Sequence, residues 1–149
     1  MKSTLPTIKM YTDGACRGNP GPGGWGVVII NDTKQDEFSG CEEMTTNNRM
    51  EMVASIEGLK LIPENKDVTV FTDSMYLKNG INQWIPKWMA NGWQTSQRKP
   101  VKNKDLWLEL VALSSKRKIQ WCWVRGHSGD PGNERADLLA NLAIDSLSE

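Results

Sequence analysis

The order of its hydrophobic patterns constrains this chain most: three strand-like stretches joined by short links, then helix-like and strand-like stretches in alternation. Residues 7–13 alternate, with Ile8, Met10 and Thr12 on one side and Lys9, Tyr11 and Asp13 on the other, the period of two that a strand requires. Trp25 to Ile30 is a β-branched apolar run that predicts a second strand, and Glu37 to Met44 predicts a third. Links this short predict an antiparallel meander, because a parallel pair needs a long crossover. Gly14 to Gly24, between the first two stretches, is rich in Gly and Pro and predicts a loop. Thr46 then predicts the cap of a helix running to about Ile62, with Met50, Val53, Ala54 and Leu61 near one face. Val68 to Thr72 predicts a short buried strand. Ser74 opens a segment that is helical in pieces, with Pro86, Gly92 and Pro100 as breaks. Asn103 to Ser114 predicts another helix, Ile119 to Val124 a strand, and residues 125–132 a polar loop. Asn133 is read as the cap of a last helix with Ala136, Leu139, Ala140 and Ala143 on its core face. The whole predicts an α/β fold, a mixed sheet covered by helices.

With 149 residues, 38% hydrophobic and 24% charged, the chain predicts one globular domain over 1–149. It has no apolar run of membrane-spanning length, so a membrane role is not expected. Residues 1–7 lack the apolar core of a signal peptide. Cys16, Cys41 and Cys122 are odd in number and far apart. That opposes a disulfide framework or a thiolate zinc site and predicts a cytoplasmic location. Net charge is zero, but its distribution is uneven. Ile81 to Lys104 contains no acidic residue, while Lys87, Arg98, Lys99, Lys102 and Lys104 are basic, and Trp84, Trp88, Trp93 and Trp107 lie in or just beyond the stretch. Such a segment is either a local footprint for nucleic acid or a solvated face with tryptophans packed beneath it.

Gly21-x-Gly23-x-x-Gly26 matches the letters of a dinucleotide-binding fingerprint, but the physics requires a helix after those glycines, and here a strand follows. The carboxylates carry more information. Asp13 ends one strand pattern in Tyr11-Thr12-Asp13-Gly14, and Asp73 ends another in Phe71-Thr72-Asp73-Ser74. Ligands gather beyond the carboxyl ends of strands in open α/β sheets, so two such aspartates can share one site. Glu51 lies early in a helix among apolar residues, and Asp137 lies near the start of the last one, where the macrodipole favours negative charge. Singly, each is explained by a turn, a cap or an exposed helix position. Together they predict a cation site, because four converging carboxylates repel one another unless cations bind. An oxygen-only ligand set suits Mg²⁺ or Mn²⁺ rather than Zn²⁺.

Several longer motifs occur in a fixed order: Tyr11-Thr12-Asp13-Gly14, the Gly-Asn-Pro-Gly-Pro-Gly-Gly run at 18–24, and Thr45-Thr46-Asn47-Asn48-Arg49-Met50-Glu51. They continue with Thr72-Asp73-Ser74, Trp123-Val124-Arg125-Gly126-His127, and Asn133-Glu134-Arg135-Ala136-Asp137. In these the chain resembles bacterial type 1 ribonuclease H over nearly its whole length. The resemblance implies a ribonuclease H-like fold, a five-stranded mixed sheet flanked by helices. It implies an endonuclease that hydrolyses the RNA strand of RNA–DNA hybrids by a two-metal mechanism, leaving 5′-phosphate and 3′-hydroxyl ends. Asp13, Glu51, Asp73 and Asp137 would be the catalytic, metal-binding carboxylates, holding two Mg²⁺ or Mn²⁺ ions in a monomeric enzyme. His127, the one histidine, sits between Gly126 and Gly129, which predict a mobile loop. A lone histidine defaults to a structural role; the resemblance assigns it instead to proton transfer or product departure. Asn19, Asn47 and Asn48 would contact the hybrid, including its 2′-hydroxyls. Thr46 and Asn103 would lie near a DNA-strand phosphate. Residues 81–104 would form a substrate-binding protrusion framed by Trp84, Trp88 and Trp93.

Two positions depart from the family pattern. Met89-Ala90-Asn91 stands where strongly basic relatives carry Lys and Arg, and Met75 stands where Gln is familiar. Three rival readings remain at this level. They are another nuclease of the same fold, a hybrid-binding module without cleavage, and a domain cut from a reverse transcriptase. The Thr45 to Glu51 motif and His127 oppose the first, the four carboxylates oppose the second, and the Met1 start and self-contained length oppose the third.

Overall fold

A computed structural model describes residues 7–125 and 129–147. Three strands come first, β1 (Ile8–Cys16), β2 (Gly21–Asn31) and β3 (Lys34–Thr45), followed by helix α1 (Asn47–Lys60) and strand β4 (Asp67–Thr72). Helix α2 (Met75–Asn79), a π-helical turn at Gly80–Trp84 and helix α3 (Ile85–Asn91) run on from one another. Helix α4 (Lys104–Ser115), strand β5 (Lys118–Trp123) and helix α5 (Pro131–Ser146) complete the described chain. The sheet order is β3-β2-β1-β4-β5. Pairing is antiparallel among β1, β2 and β3 and parallel from β1 to β4 and β4 to β5, so the sheet is mixed and five-stranded as expected. Among the described residues, no helix is long and apolar enough to cross a membrane.

The two sheet faces are built differently. Ile8 and Met10 of β1, Val27 and Ile29 of β2, and Val68 and Val70 of β4 join Met52, Ile56 and Leu59 of α1 and Trp107 and Leu110 of α4 in the main core. Because α1 lies between the sheet and α4, it is buried on more than the one face expected of it. Met50 and Ala54 are buried as expected, Met52, Ile56 and Leu59 are buried beside them, and Leu61, placed inward by its spacing, is half exposed at 50%. The opposite face is covered by α5 through small residues, Ala136, Ala140 and Ala143.

That close packing corrects the reading of the glycine-rich segment. Gly14 to Gly24 is mostly strand, and only residues 17–20 connect β1 to β2. The glycines are there because helices lie against them. A Cβ on Gly24 or Gly26 would come within 2.3 Å of the Ala140 or Ala136 carbonyl oxygen of α5, and one on Gly14 within 2.3 Å of the Glu51 nitrogen of α1. Composition cannot separate a glycine that turns the chain from one that admits a neighbouring backbone.

Two local expectations are corrected as well. Pro86 does not break the helix, because the π turn just before it shifts the bonding register, with the Ile85 N–H donating to the Gly80 carbonyl five residues back. Gly92 does end α3, in the left-handed region at φ 79°. Asp130, rather than Asn133, caps α5, its Oδ1 accepting from the backbone N–H groups of Gly132 and Asn133 at 3.0 and 3.2 Å. Pro131 then takes the first helical position, where a missing N–H costs nothing. The Thr46 cap of α1 is as expected, its Oγ1 accepting from the Arg49 N–H at 3.2 Å.

Candidate active site

The carboxylates meet at Asp13 because backbone geometry brings three other elements to it. The parallel register pairs Tyr11 with Phe71, and extending it two residues sets Asp73 beside Asp13. Gly14 lets α1 lean against the end of β1, which places Glu51 there. Gly26, paired with Asp13 across β1 and β2, lets the Ala136 carbonyl of α5 approach, and Asp137 follows in sequence. Asp13, Glu51 and Asp73 each offer an oxygen within 4.8 Å of the others. Asp137 stands outside that compact trio but lines the same cavity and interacts with Asp13.

The cavity has a volume of about 490 Å³. The described residues that line it include no lysine, arginine or histidine. Asp13 and Glu51 are 5% and 4% exposed. Burial, then the charge of Glu51, pushes the Asp13 carboxyl well above the usual carboxylate range. Burial also drives Glu51 up, against the opposing hydrogen bonds to it. The Gly14 N–H serves both residues, donating to Asp13 Oδ1 at 3.0 Å and to Glu51 Oε1 at 2.9 Å. Glu51 Oε2, however, is buried and accepts no hydrogen bond. A buried, unsatisfied carboxylate oxygen among crowded acids is expensive, and a bound hard cation removes that cost. The donor set therefore fits Mg²⁺ or Mn²⁺.

Two of the neutral residues expected to touch substrate belong to this cavity wall, and the others do not. Asn47 and Asn48 line it. Asn19 reaches over from the β1–β2 connection, its Oδ1 accepting from the Asn47 N–H at 2.9 Å. Thr46 is committed to capping α1. Asn103 is held from both ends, accepting from Arg49 Nη1 at 3.1 Å and donating to the Tyr76 hydroxyl at 3.1 Å. Trp84, Trp88 and Trp93 form a chain of rings, with centroids 5.7 and 5.8 Å apart, packed against the core. Lys87, Arg98, Lys99 and Lys102 are exposed around them, so the basic face and the packed tryptophans coexist. His127 lies outside the described residues.

Sequence reasoning passed over Tyr76 and Arg49. Tyr76 lines the cavity and accepts hydrogen bonds from both Asn103 and the Trp107 indole. Arg49 ties α1 to α4 through a two-point pair with Asp105, at 3.2 and 2.9 Å. The available signal was position: each lies within three residues of a candidate carboxylate. Cys16, given no catalytic role, and Met75, noted as a departure, also line the cavity.

Residues 6–145 match the RNase H family profile. The Ribonuclease H of Francisella philomiragia subsp. philomiragia is 56% identical over 138 residues, covering 93% of this chain and 91% of that protein. The crystal structure of LC9-RNase H1, a type 1 RNase H with the type 2 active-site motif, superposes with a TM-score of 0.85 at 31% identity, over 98% of this chain and 75% of that one. LC11-RNase H1 in complex with RNA/DNA hybrid superposes with a TM-score of 0.70 at 28% identity, over 96% of this chain and 100% of that one.

Proposed function

The chain belongs to the ribonuclease H family, and we infer from that membership that it is an endonuclease that hydrolyses the RNA strand of RNA–DNA hybrids. The observation that carries the reading to particular residues is the crowded trio of Asp13, Glu51 and Asp73, with Asp137 on the same cavity wall. In this reading all four are metal-binding catalytic carboxylates, and residues 1–149 form one catalytic domain. The chemistry supplied by two divalent cations held there, Mg²⁺ or Mn²⁺, is activation of the attacking water and charge stabilisation at the leaving oxygen. The products are a 5′-phosphate and a 3′-hydroxyl. The Gly14 N–H orients Asp13 and Glu51 toward the cavity. Asn19, Asn47 and Asn48 are assigned contacts with the hybrid and its 2′-hydroxyls, and Thr46 and Asn103 contacts with a DNA-strand phosphate. The enzyme is read as a cytoplasmic monomer, a location that its free thiols suit. Identification of the product ends tests the cleavage chemistry. RNA fragments that a ligase joins without prior phosphorylation are expected, whereas 5′-hydroxyl or cyclic phosphate ends would overturn it.

His127 is assigned proton transfer or product departure. His127→Ala is expected to slow turnover by no more than about 10²-fold, the low end of general acid–base assistance. A loss as complete as that from removing a carboxylate would show a larger role.

The protrusion, residues 81–104, is assigned to substrate binding, with Trp84, Trp88 and Trp93 as its frame. Met89, 59% exposed on α3, and the exposed Ala90 and Asn91 cannot neutralise phosphates. Each Lys or Arg contact to phosphate steepens the log–log fall of affinity with salt by roughly 0.7 to 0.9. Replacing Met89 and Ala90 together by Lys is therefore expected to lower KM several-fold at low salt and to steepen its salt dependence, with kcat little changed. Kinetics on one hybrid across a salt series check this. An unchanged KM at low salt would show that α3 does not meet the substrate.

A further inference from the structure

Helix α5 carries an asparagine where its surroundings would favour another residue. Asn141 stands in Leu138-Leu139-Ala140-Asn141-Leu142-Ala143, deep inside a sixteen-residue helix. Asparagine is a poor interior helix residue, about half a kcal/mol worse than alanine, because its amide competes for backbone groups. Here that amide does so, donating from Nδ2 to the Asp137 carbonyl at 3.0 Å. The same nitrogen reaches the Asp137 carboxylate, 3.4 Å from Oδ1. One turn of helix thus supplies a neutral donor to the one carboxylate that stands outside the compact trio.

The neighbourhood holds Asn141 in place. Its backbone carbonyl accepts from Arg17 Nη2 at 3.3 Å, while Arg17 Nη1 pairs with Asp145 at 2.7 Å. Arg17 belongs to the β1–β2 connection, closed by its own N–H to the Pro22 carbonyl at 2.8 Å. The asparagine is therefore braced where α5 meets the β1–β2 connection, with its side chain directed back to Asp137.

The geometry points to Asn141 as a positioning residue for Asp137, which fixes the rotamer of that carboxylate and leaves its second oxygen for a cation. The assignment rests on reading Asp137 as a metal ligand. A neutral donor suits this role because it orients the carboxylate without cancelling the charge that binds the ion, as an arginine or lysine would. Groups that orient a ligand in this way typically alter metal affinity or activity by about 10- to 100-fold. A single long hydrogen bond belongs at the lower end.

The test uses the whole protein with Asn141→Ala, Asn141→Gln and Asp137→Asn. Three quantities are read: Mn²⁺ affinity of the free protein by calorimetry, thermal stability in chelator, and kcat and KM across a Mg²⁺ series. Asn141→Ala is expected to keep or raise the chelator Tm, to weaken Mn²⁺ binding about 3- to 10-fold, and to lower kcat at limiting Mg²⁺. The hybrid KM should stay unchanged, and saturating Mg²⁺ should recover most of the rate. Asn141→Gln, which keeps a donor, should recover part of the Mn²⁺ affinity. Adding Asn141→Ala to Asp137→Asn should weaken Mn²⁺ binding no further. If Asp137→Asn loses activity while Asn141→Ala matches the parent in Mn²⁺ affinity and Mg²⁺ dependence, the positioning role is wrong and the ligand assignment stands. Normal Mn²⁺ binding and turnover in Asp137→Asn would remove the ligand assignment and the positioning role with it.

Discussion

Asparagine in place of Asp13, or of Asp73, is expected to lower hybrid cleavage by at least about 10³-fold while leaving hybrid affinity within a few-fold of the parent. Each substitution keeps the size of the side chain and removes its charge. Both residues contribute an oxygen to the cluster that falls within 4.8 Å, and no described lysine, arginine or histidine in the cavity wall could take over their electrostatic part. Affinity should survive because the exposed cations of residues 87–102 and the asparagines around the cavity are untouched. Single-turnover kinetics with hybrid in Mg²⁺, paired with binding measurements, separate the two effects. Near-normal turnover in both variants at ordinary Mg²⁺ concentrations would remove the metal assignment.

The same crowding predicts a gain in stability from the substitution that destroys activity. Asp13 and Glu51 have folded-state pKa values above their ordinary 3.8 and 4.5, raised first by burial. The folded chain therefore holds protons that the unfolded chain releases. The metal-free protein should lose stability as pH rises out of the ordinary carboxylate range through about 7, to which Glu51 is raised, and on towards about 11, to which Asp13 is raised. Asp13→Asn puts a permanently neutral amide where the parent must hold a proton at pH 7, and that amide can donate to neighbouring carboxylates. It is expected to raise the stability of the metal-free protein at pH 7 by about 2–4 kcal/mol and to flatten that pH dependence. Mg²⁺ should stabilise the parent more than the variant, since it relieves repulsion the variant no longer has. Urea unfolding in chelator from about pH 5 to pH 8 measures both. A variant no more stable than the parent at the upper end of that range would mean that the acids are not in conflict.

Much of this site was legible in the chain because strand ends and helix starts announce themselves. Thr12-Asp13 and Thr72-Asp73 each close an apolar run, and parallel pairing of those runs sets the two aspartates side by side. Thr46 is a good cap, so the start of α1 and the early position of Glu51 followed directly. What could not be read were features that depend on a neighbour distant in sequence. Gly14, Gly24 and Gly26 read as loop residues or as part of a strand, yet they serve as the surfaces on which α1 and α5 rest. Leu61 has the spacing of a core residue and is half exposed, whereas Met52 and Ile56 are buried. Pro86 carries a strong breaking signal, overridden by a change of hydrogen-bond register that no local pattern foretells. The Asn103–Tyr76–Trp107 network joins positions up to 31 residues apart, and only folding brings them together.

The most direct test of the central claim is a comparison of end-labelled substrates under one set of conditions: RNA–DNA hybrid, RNA duplex, DNA duplex and each single strand, with Mg²⁺ or with chelator. The RNA strand of the hybrid should be cut at internal positions in Mg²⁺, the other substrates should stay intact, and chelator should abolish all cutting. Cleavage of RNA duplex or DNA at a comparable rate, or cleavage of the hybrid that persists in chelator, would contradict the account.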